Sequence, residues 1–408
     1  MKKTLIAVAA AAALTTSAFA EVTFGAWLRV LAAPVASDGD ETVAAMGNSW
    51  GYGARVARLN VNAVSENGMA GFDMGIYNDL NDGLSTGDQW SIWAKPVEQV
   101  KLSFGKFDNN TLRGDVCYGS WNWLRPTSSW IAEDEGLLMS GNGGKGALIE
   151  VTPIEGLYIQ ALIPFDTTKQ KAEDVYKNVR GGFAYSIDGI GKIKGQLILK
   201  NTPEKAATKD VYGWKDNDEK PETAPVWTVV TEAAAASDSA LDKTIEAEFD
   251  LVAVENLWAG FGAQFNLWDE DDNHKEDEKI KLALGASYQV NDQIKVTASG
   301  AFFMYTEKKD DGGVDPRFQL GAGIDYSFGN GINLAADVRY LSKKNDVDNT
   351  DHLAFLVGAT KGISSNGYVG VGFQAQTNGG TWANTVIKDG GKADKLTWAI
   401  PVAMSVWF

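Results

Sequence analysis

The sequence predicts an all-β fold: an antiparallel transmembrane β-barrel of 18 strands, with 16 as the alternative, whose rims carry long loops at one end and short turns at the other. Three observations predict it. Apolar and polar residues alternate with a period of two through most of the 408 residues, the signature of strands with two unlike faces. The apolar positions of the nine clearest segments hold no charged residue, in a chain that is 22% charged. Connections alternate between short turn-forming stretches and long polar ones.

Taken in order, the first element lies outside the fold. "MKKTLIAVAAAAALTTSAFA" has a Lys2–Lys3 start, an apolar run and the small-residue pattern Ala18-Phe19-Ala20, and it reads as a signal peptide, 1–20, cleaved before Glu21. No later stretch supplies the ~18 to 20 consecutive apolar residues that a transmembrane helix needs. The remainder, 21–408, is read as a single barrel domain.

Strands are expected near 22–32, 50–63, 70–78, 88–96, 100–107, 146–152, 157–164, 179–187 and 191–200 in the first half. The second half is more legible, with 245–253, 257–267, 280–290, 294–304, 318–328, 332–340, 353–359, 369–375 and 396–408. The parity opposite the apolar one carries Glu246, Glu248, Asp250, Lys281, Lys295, Arg317, Asp325, Asp337 and Arg339. "SENGM", "PIEG", "DGIG" and "SSNG" are turn chemistry. Between them run long polar connections such as 201–242, 269–279, 306–316 and 376–394.

A secreted sandwich or propeller also alternates, but it does not segregate loop lengths by end and it admits charge on both faces. Lipid satisfies no backbone group, so only helices and closed sheets cross it. A Lys or Arg on the lipid face costs roughly 2–4 kcal/mol at the midplane, which accounts for the charge-free parity. Outward aromatics near the strand ends suit two interfacial girdles: Tyr288, Tyr326 and Phe328 on the short-turn side, Phe318 and Tyr340 on the other.

The chain ends in "LTWAIPVAMSVWF", an alternating strand that closes on Phe408. This strand is expected to pair with 22–32. Pro401, which lacks an N–H, predicts a bulge or one missing ladder bond there. With the signal peptide, the alternation and the loop pattern, the whole mature chain resembles bacterial outer-membrane porins. The resemblance implies an outer-membrane location in a diderm bacterium, contact with outer-membrane lipid, a homotrimer, and Phe408 as the signal read by the barrel-assembly machinery.

Sixteen to eighteen strands leave a water-filled lumen, so passive diffusion of small hydrophilic solutes and ions is the expected function. The connection after the fifth strand, about 109–146, is too apolar for water: it holds Trp121, Trp123, Trp130 and Leu137-Leu138-Met139. These side chains need burial, and the inner wall offers it. The resemblance implies a constriction loop at this place, with Glu133, Asp134 and Glu135 as its carboxylates and Arg113 and Arg125 beside them. A facing cluster would come from the inward Arg29, Arg58, Lys95 and Lys101. Asp73, Glu246, Glu248 and Asp250 join the same pore wall. Opposed charges of this kind orient polar solutes.

Other chemistry finds little footing. The net charge of −16, with 37 basic against 53 acidic residues, becomes −18 (35 against 53) once Lys2 and Lys3 are removed, and argues against nucleic acid. Cys117 is the single cysteine, so no intrachain disulfide forms. "DEDDNHKED" puts His274 where a calcium loop needs Gly. Two histidines, His274 and His352, make no zinc site, and no nucleophile elbow is present. No cofactor, metal or enzymatic activity is expected. A saccharide-selective channel is the first alternative, on the inward aromatics Trp27, Trp93, Tyr158, Trp258, Phe303 and Tyr305. A surface adhesin displaying 201–242 is the second. Acidic outer loops predict a slight preference for cations.

Overall fold

The computed structural model describes residues 20–47, 55–80, 83–114, 138–202, 211–215, 226–231, 240–268, 274, 276–379 and 394–408. The proposed signal peptide falls outside the described residues apart from Ala20.

Strands run in chain order as β1 (Ala20–Ser37), β2 (Thr42–Gly47), β3 (Arg55–Ser65), β4 (Ala70–Asp79), β5 (Gly83–Val97), β6 (Val100–Phe107), β7 (Gly144–Ile154), β8 (Leu157–Ile163), β9 (Arg180–Ile187), β10 (Gly191–Thr202) and β11 (Val211–Lys215). They continue as β12 (Val226–Thr231), β13 (Ala240–Leu251), β14 (Leu257–Leu267), β15 (Glu278–Gln289), β16 (Ile294–Tyr305), β17 (Arg317–Ser327), β18 (Ile332–Leu341), β19 (His352–Ser364), β20 (Gly367–Gln376), β21 (Thr397–Ala399) and β22 (Val402–Trp407). One short helix, α1 (Ala172–Tyr176), sits between β8 and β9. The β11–β12 hairpin is a separate ribbon within the long 203–239 connection. β2 and β3 continue one stave, as do β21 and β22, so the closed antiparallel barrel has 18 staves; the alternative of 16 is set aside.

Closure is made by the two ends of the chain. β1 pairs with β22 from Trp27↔Trp407 to Ala32↔Val402 and with β3 from Ala20↔Ser65 to Leu28↔Ala57. Phe408 N–H donates to Ala26 O at 2.8 Å, and Ala26 N–H donates to Phe408 O at 3.1 Å. Pro401 interrupts the last stave. Gly372 N–H donates to Pro401 O at 3.0 Å, but the reciprocal bond has no donor, so one rung to β20 is missing. The β1 register slips between Ala33 and Ala36 against β2, around Pro34. Of the two disturbances expected at Pro401, a bulge or one missing ladder bond, the missing rung is present.

Turn chemistry fits the short rim. Glu155-Gly156 joins β7 to β8, and Gly156 has φ +79°, a conformation that favours glycine. The opposite rim differs from the expected loop pattern at two places. β1 and β2 are joined by a short turn at 38–41, and β5 begins at Gly83, only a few residues after β4 ends at Asp79. Elsewhere the outer loops tie to one another. Asn345 Nδ2 donates to Gly313 O at 2.9 Å, Asp315 N–H donates to Asn345 Oδ1 at 2.8 Å, and Lys344 Nζ donates to Glu276 at 2.7 Å.

The two faces of the wall are chemically opposite. Outward residues include Phe261, Leu284, Leu320, Val338, Val357 and Met404, all left exposed. On β13 exposed and covered residues alternate, with Ile245, Ala247 and Phe249 out and Glu246, Glu248 and Asp250 in. A continuous apolar belt of this size has no place in water, whereas lipid covers it without cost. Phe318 against Tyr340 at 5.9 Å and Tyr326 against Phe328 at 4.7 Å mark its two edges. No helix among the described residues is long and apolar enough to cross a membrane. The crossing is made by strands, in a closed β-barrel.

Candidate pore interior

Pairing register puts one continuous set of side chains inside. Trp27 lies opposite Arg58, Arg58 opposite Tyr77, and Asn62 opposite Asp73, which faces Ser91 in turn. Trp93 is next to Ser103, Lys101 to Glu150, and Glu150 to Gln160. Beyond them Lys194 faces Glu248, and Gln196, Glu246 and Gln264 form one row.

The sector from β1 to β6 is cationic and aromatic. The Arg29 guanidinium sits 4.2 Å from the Trp27 ring centroid, and Arg55 and Arg58 lie 5.0 and 5.2 Å from Tyr77. Lys95 and Lys101 approach Trp93 at 5.9 and 5.3 Å. Arg58 donates to Tyr77 Oη at 3.2 Å and to Gln89 Oε1 at 3.3 Å, and lies 3.8 Å from Asp108. A Cβ at position 75 would fall 2.6 Å from Arg58 Nε, so Gly75 is what lets the guanidinium lie flat along the wall. Lys101 Nζ reaches Glu150 at 3.4 Å, and Tyr158 Oη donates to the same carboxylate at 2.7 Å.

The sector from β8 to β16 is covered by the two stems of the connection after β6. Asn109 Nδ2 donates to Gln160 Oε1 at 3.0 Å, and Leu112 and Met139, both fully buried, pack against Ala184 and Tyr158. Gly182 gives Leu112 its room, since a Cβ there would meet Leu112 Cδ1 at 2.5 Å. Gly114 N–H donates to Met139 O at 3.0 Å, joining the stems. Leu138, also fully buried, packs on Ala283, Ala301 and Phe303, with Trp258, Tyr305 and Leu341 around it. Arg180 donates to Gly143 O at 3.3 Å. The returning stem therefore runs across the inner wall from β9 to β16.

Under that stem lie the wall carboxylates. Glu246 is 1% exposed and accepts from Ser140 N–H at 2.9 Å, Ser140 Oγ–H at 2.8 Å and Gln264 Nε2 at 2.8 Å. Gln196 Nε2 donates to Glu246 as well, and to Ser140 O at 2.9 Å. Lys194 Nζ lies 3.2 Å from Glu248 and 3.5 Å from Asp250, and donates to Arg113 O at 3.2 Å. A further buried pair, Asp337 with Arg339 at 3.0 Å, sits on β18.

Of the residues singled out from sequence, Arg29, Arg58, Asp73, Lys95, Lys101, Glu246, Glu248 and Asp250 have inward register positions. Arg113 contributes its carbonyl to Lys194. Trp121, Trp123, Arg125, Glu133, Asp134 and Glu135 lie outside the described residues. Sequence reasoning missed Ser140, Gln196, Gln264 and Tyr77. The one available signal was that Gln196 and Gln264 occupy polar positions of the parity that holds Glu246.

Among the described residues no cluster of His, Cys, Asp and Glu could hold a metal ion. On the outer rim His274 stacks on Trp268 at 4.7 Å and bonds Asp277 at 2.7 Å. There too Lys343 donates to Asp348 at 2.9 Å, a bond that holds the Asp348 carboxyl below its usual range and the Lys343 ammonium above its own.

No protein-family model matches the chain, and no curated protein matches it. Among solved structures it is similar to the anion-selective porin from Comamonas acidovorans, at 12% identity, 95% of this chain and 100% of that one, with a TM-score of 0.49. It is similar to OprB of Pseudomonas putida, at 11% identity, 97% and 96% coverage and a TM-score of 0.47. The outer-membrane channel DcaP of Acinetobacter baumannii gives 11% identity, 95% and 97% coverage and a TM-score of 0.46. At these identities the likeness is one of architecture, and no residue role is taken from it.

Proposed function

We propose that the chain forms a water-filled channel through which ions and small hydrophilic solutes cross the outer membrane by passive diffusion. The observation that carries this reading is the β1–β6 sector. Asn60, Asn62, Asp73, Gln89, Lys95 and Lys101 have inward positions and stay partly exposed, while their sequence neighbours Leu59, Phe72, Trp90 and Ile92 face outward and apolar. A wall that is wet inside and greasy outside suits diffusion. The stems packed on the opposite sector support the loop after β6 as the constriction, facing Arg29, Arg58, Lys95 and Lys101; its candidate carboxylates Glu133, Asp134 and Glu135 lie outside the described residues. Acidic outer loops favour cations at the mouth and the basic lane tempers that preference, leaving it slight.

The saccharide-selective reading draws less support. Four of its six inward aromatics are engaged in packing the stems: Trp258, Phe303 and Tyr305 around Leu138, and Tyr158 against Leu112 and Met139. Trp27 and Trp93 remain, both with cations over their rings. A homotrimer is proposed on the resemblance of the sequence alone, and crosslinking in native membranes tests it.

The test of the channel is swelling of proteoliposomes in isotonic sugars. Fast entry of monosaccharides that falls smoothly with size is the expected result. Swelling no faster than in protein-free liposomes would refute the proposal.

A further inference from the structure

We infer that Glu246 is the latch that fixes the returning stem of the β6–β7 connection inside the barrel, and that Glu246, Glu248 and Asp250 act on the two stems of that connection rather than on passing ions. The inference rests on the channel reading only for its electrical consequences; the latch itself is a matter of contacts.

Four donors converge on one buried carboxylate, and two of them, the N–H and Oγ–H of Ser140, belong to the connection. Gln196 bridges the two partners by donating to both Glu246 and Ser140 O. The neighbouring point of attachment is built alike. Lys194, held by Glu248 and Asp250, spends a proton on Arg113 O in the outgoing stem. The three carboxylates are 1–2% exposed, so water and ions in the lane do not reach them. By contrast Glu150, with its side chain 15% exposed beside a Lys101 side chain that is 34% exposed, has access to the lane. Glu246, Glu248 and Asp250 thus position the connection and Glu150 borders the lane, while Asp337 is taken up by Arg339 on its own strand.

A purely apolar contact would also hold Leu138 and Met139 in place, but it would fix no register. Hydrogen bonds to charged groups are shorter and stronger than neutral ones and depend on direction. Ser140 is therefore the residue that sets where the connection crosses the lumen.

Two readouts on the full-length protein test the inference, using Glu246→Gln, Ser140→Ala, the double variant and Glu150→Gln, each first checked for a folded barrel by heat-modifiable migration. The first is hydrogen exchange at the amides of 138–143, which does not depend on conduction. Both single variants should exchange at least about tenfold faster there, the factor expected for loss of one bond to a charged group. The double variant should exceed the larger single effect only slightly, because both substitutions break one contact.

The second readout is the single-channel record in a salt gradient. Glu246→Gln and Ser140→Ala should add subconductance flicker and leave the reversal potential unchanged, whereas Glu150→Gln should shift the reversal potential without flicker. Unchanged protection at 138–143 in Glu246→Gln, or fully additive effects in the double variant, would overturn the latch. A reversal-potential shift in Glu246→Gln as large as that in Glu150→Gln would overturn the division of the carboxylates. A folded wild-type barrel that carries no current would sink the channel reading, and the exchange result would still decide the latch.

Discussion

Replacing Leu284 by Arg tests which face of the wall meets lipid. Leu284 lies on β15, six residues from Glu278 and five from Gln289, with Phe261 and Gly300 as its cross-strand partners. It points outward and is 55% exposed. With a rise of about 3.4 Å per residue and a strand tilt near 40°, each residue advances roughly 2.6 Å along the membrane normal. Leu284 is then about 13–16 Å from either strand end, at the centre of an apolar band ~25 Å tall. Arg at that depth should cost about 2–4 kcal/mol, which is roughly 30- to 1000-fold in the folding equilibrium. Tyr288→Arg, four residues nearer the short turns, should cost only about 0–1 kcal/mol at the interface. Asn62→Arg places the same group inside, opposite Asp73, and should be nearly neutral. Guanidinium unfolding in phospholipid vesicles, followed by the fluorescence of the 14 Trp, measures all three. A Leu284→Arg cost no larger than that of Asn62→Arg would refute the assignment of faces.

Removing Phe408 deletes the pair of bonds with Ala26 that fastens the end of the last stave, and should sharply lower the yield of heat-modifiable barrel in the membrane fraction; a normal yield would count against its role in assembly. Pro401→Ala supplies the N–H that Gly372 O lacks and should stabilise the barrel by about 0.5–1.5 kcal/mol, the net worth of one hydrogen bond, read as a higher unfolding midpoint. Gly182→Val crowds Leu112 and also Gly195 O and the Gln196 Cβ on β10, and should speed exchange at the amides of the outgoing stem and of the β9–β10 pairing, while β15–β18 keep their protection.

Legibility in the sequence followed the regularity of the alternation. From β13 to β22 every second residue carries the same message, and each expected strand coincides with an observed one to within a few residues. The errors fall where the alternation is broken. β5 was expected over 88–96 but begins at Gly83, because its register with β4 slips between Met74 and Ile76, where Ile76 faces Thr86 while Met74 faces Trp90. The extra residues around Gly87 scramble the parity, and the stretch reads as a loop. β3 is expected from residue 50 and is described from Arg55, residues 50–54 lying outside the described residues.

The inner site was legible as a parity, not as a set of contacts. Inward Glu246, Glu248 and Asp250 follow from period two. Their engagement with the stems does not, since Ser140 and Glu246 are 106 residues apart and nothing local to either announces the other. The apolar Leu138-Met139 did signal burial, although not which of the inner surfaces would receive each side chain. Leu138 goes to the β15–β16 wall, and Met139, its neighbour, goes to the β8–β9 wall.

The most direct test of the central claim is the current through single molecules of the purified, refolded protein in a planar bilayer. The account predicts step-like, ohmic conductance in potassium chloride, with no block by sugars and a reversal potential that shows at most a slight cation preference. A folded barrel that inserts and carries no current would contradict it.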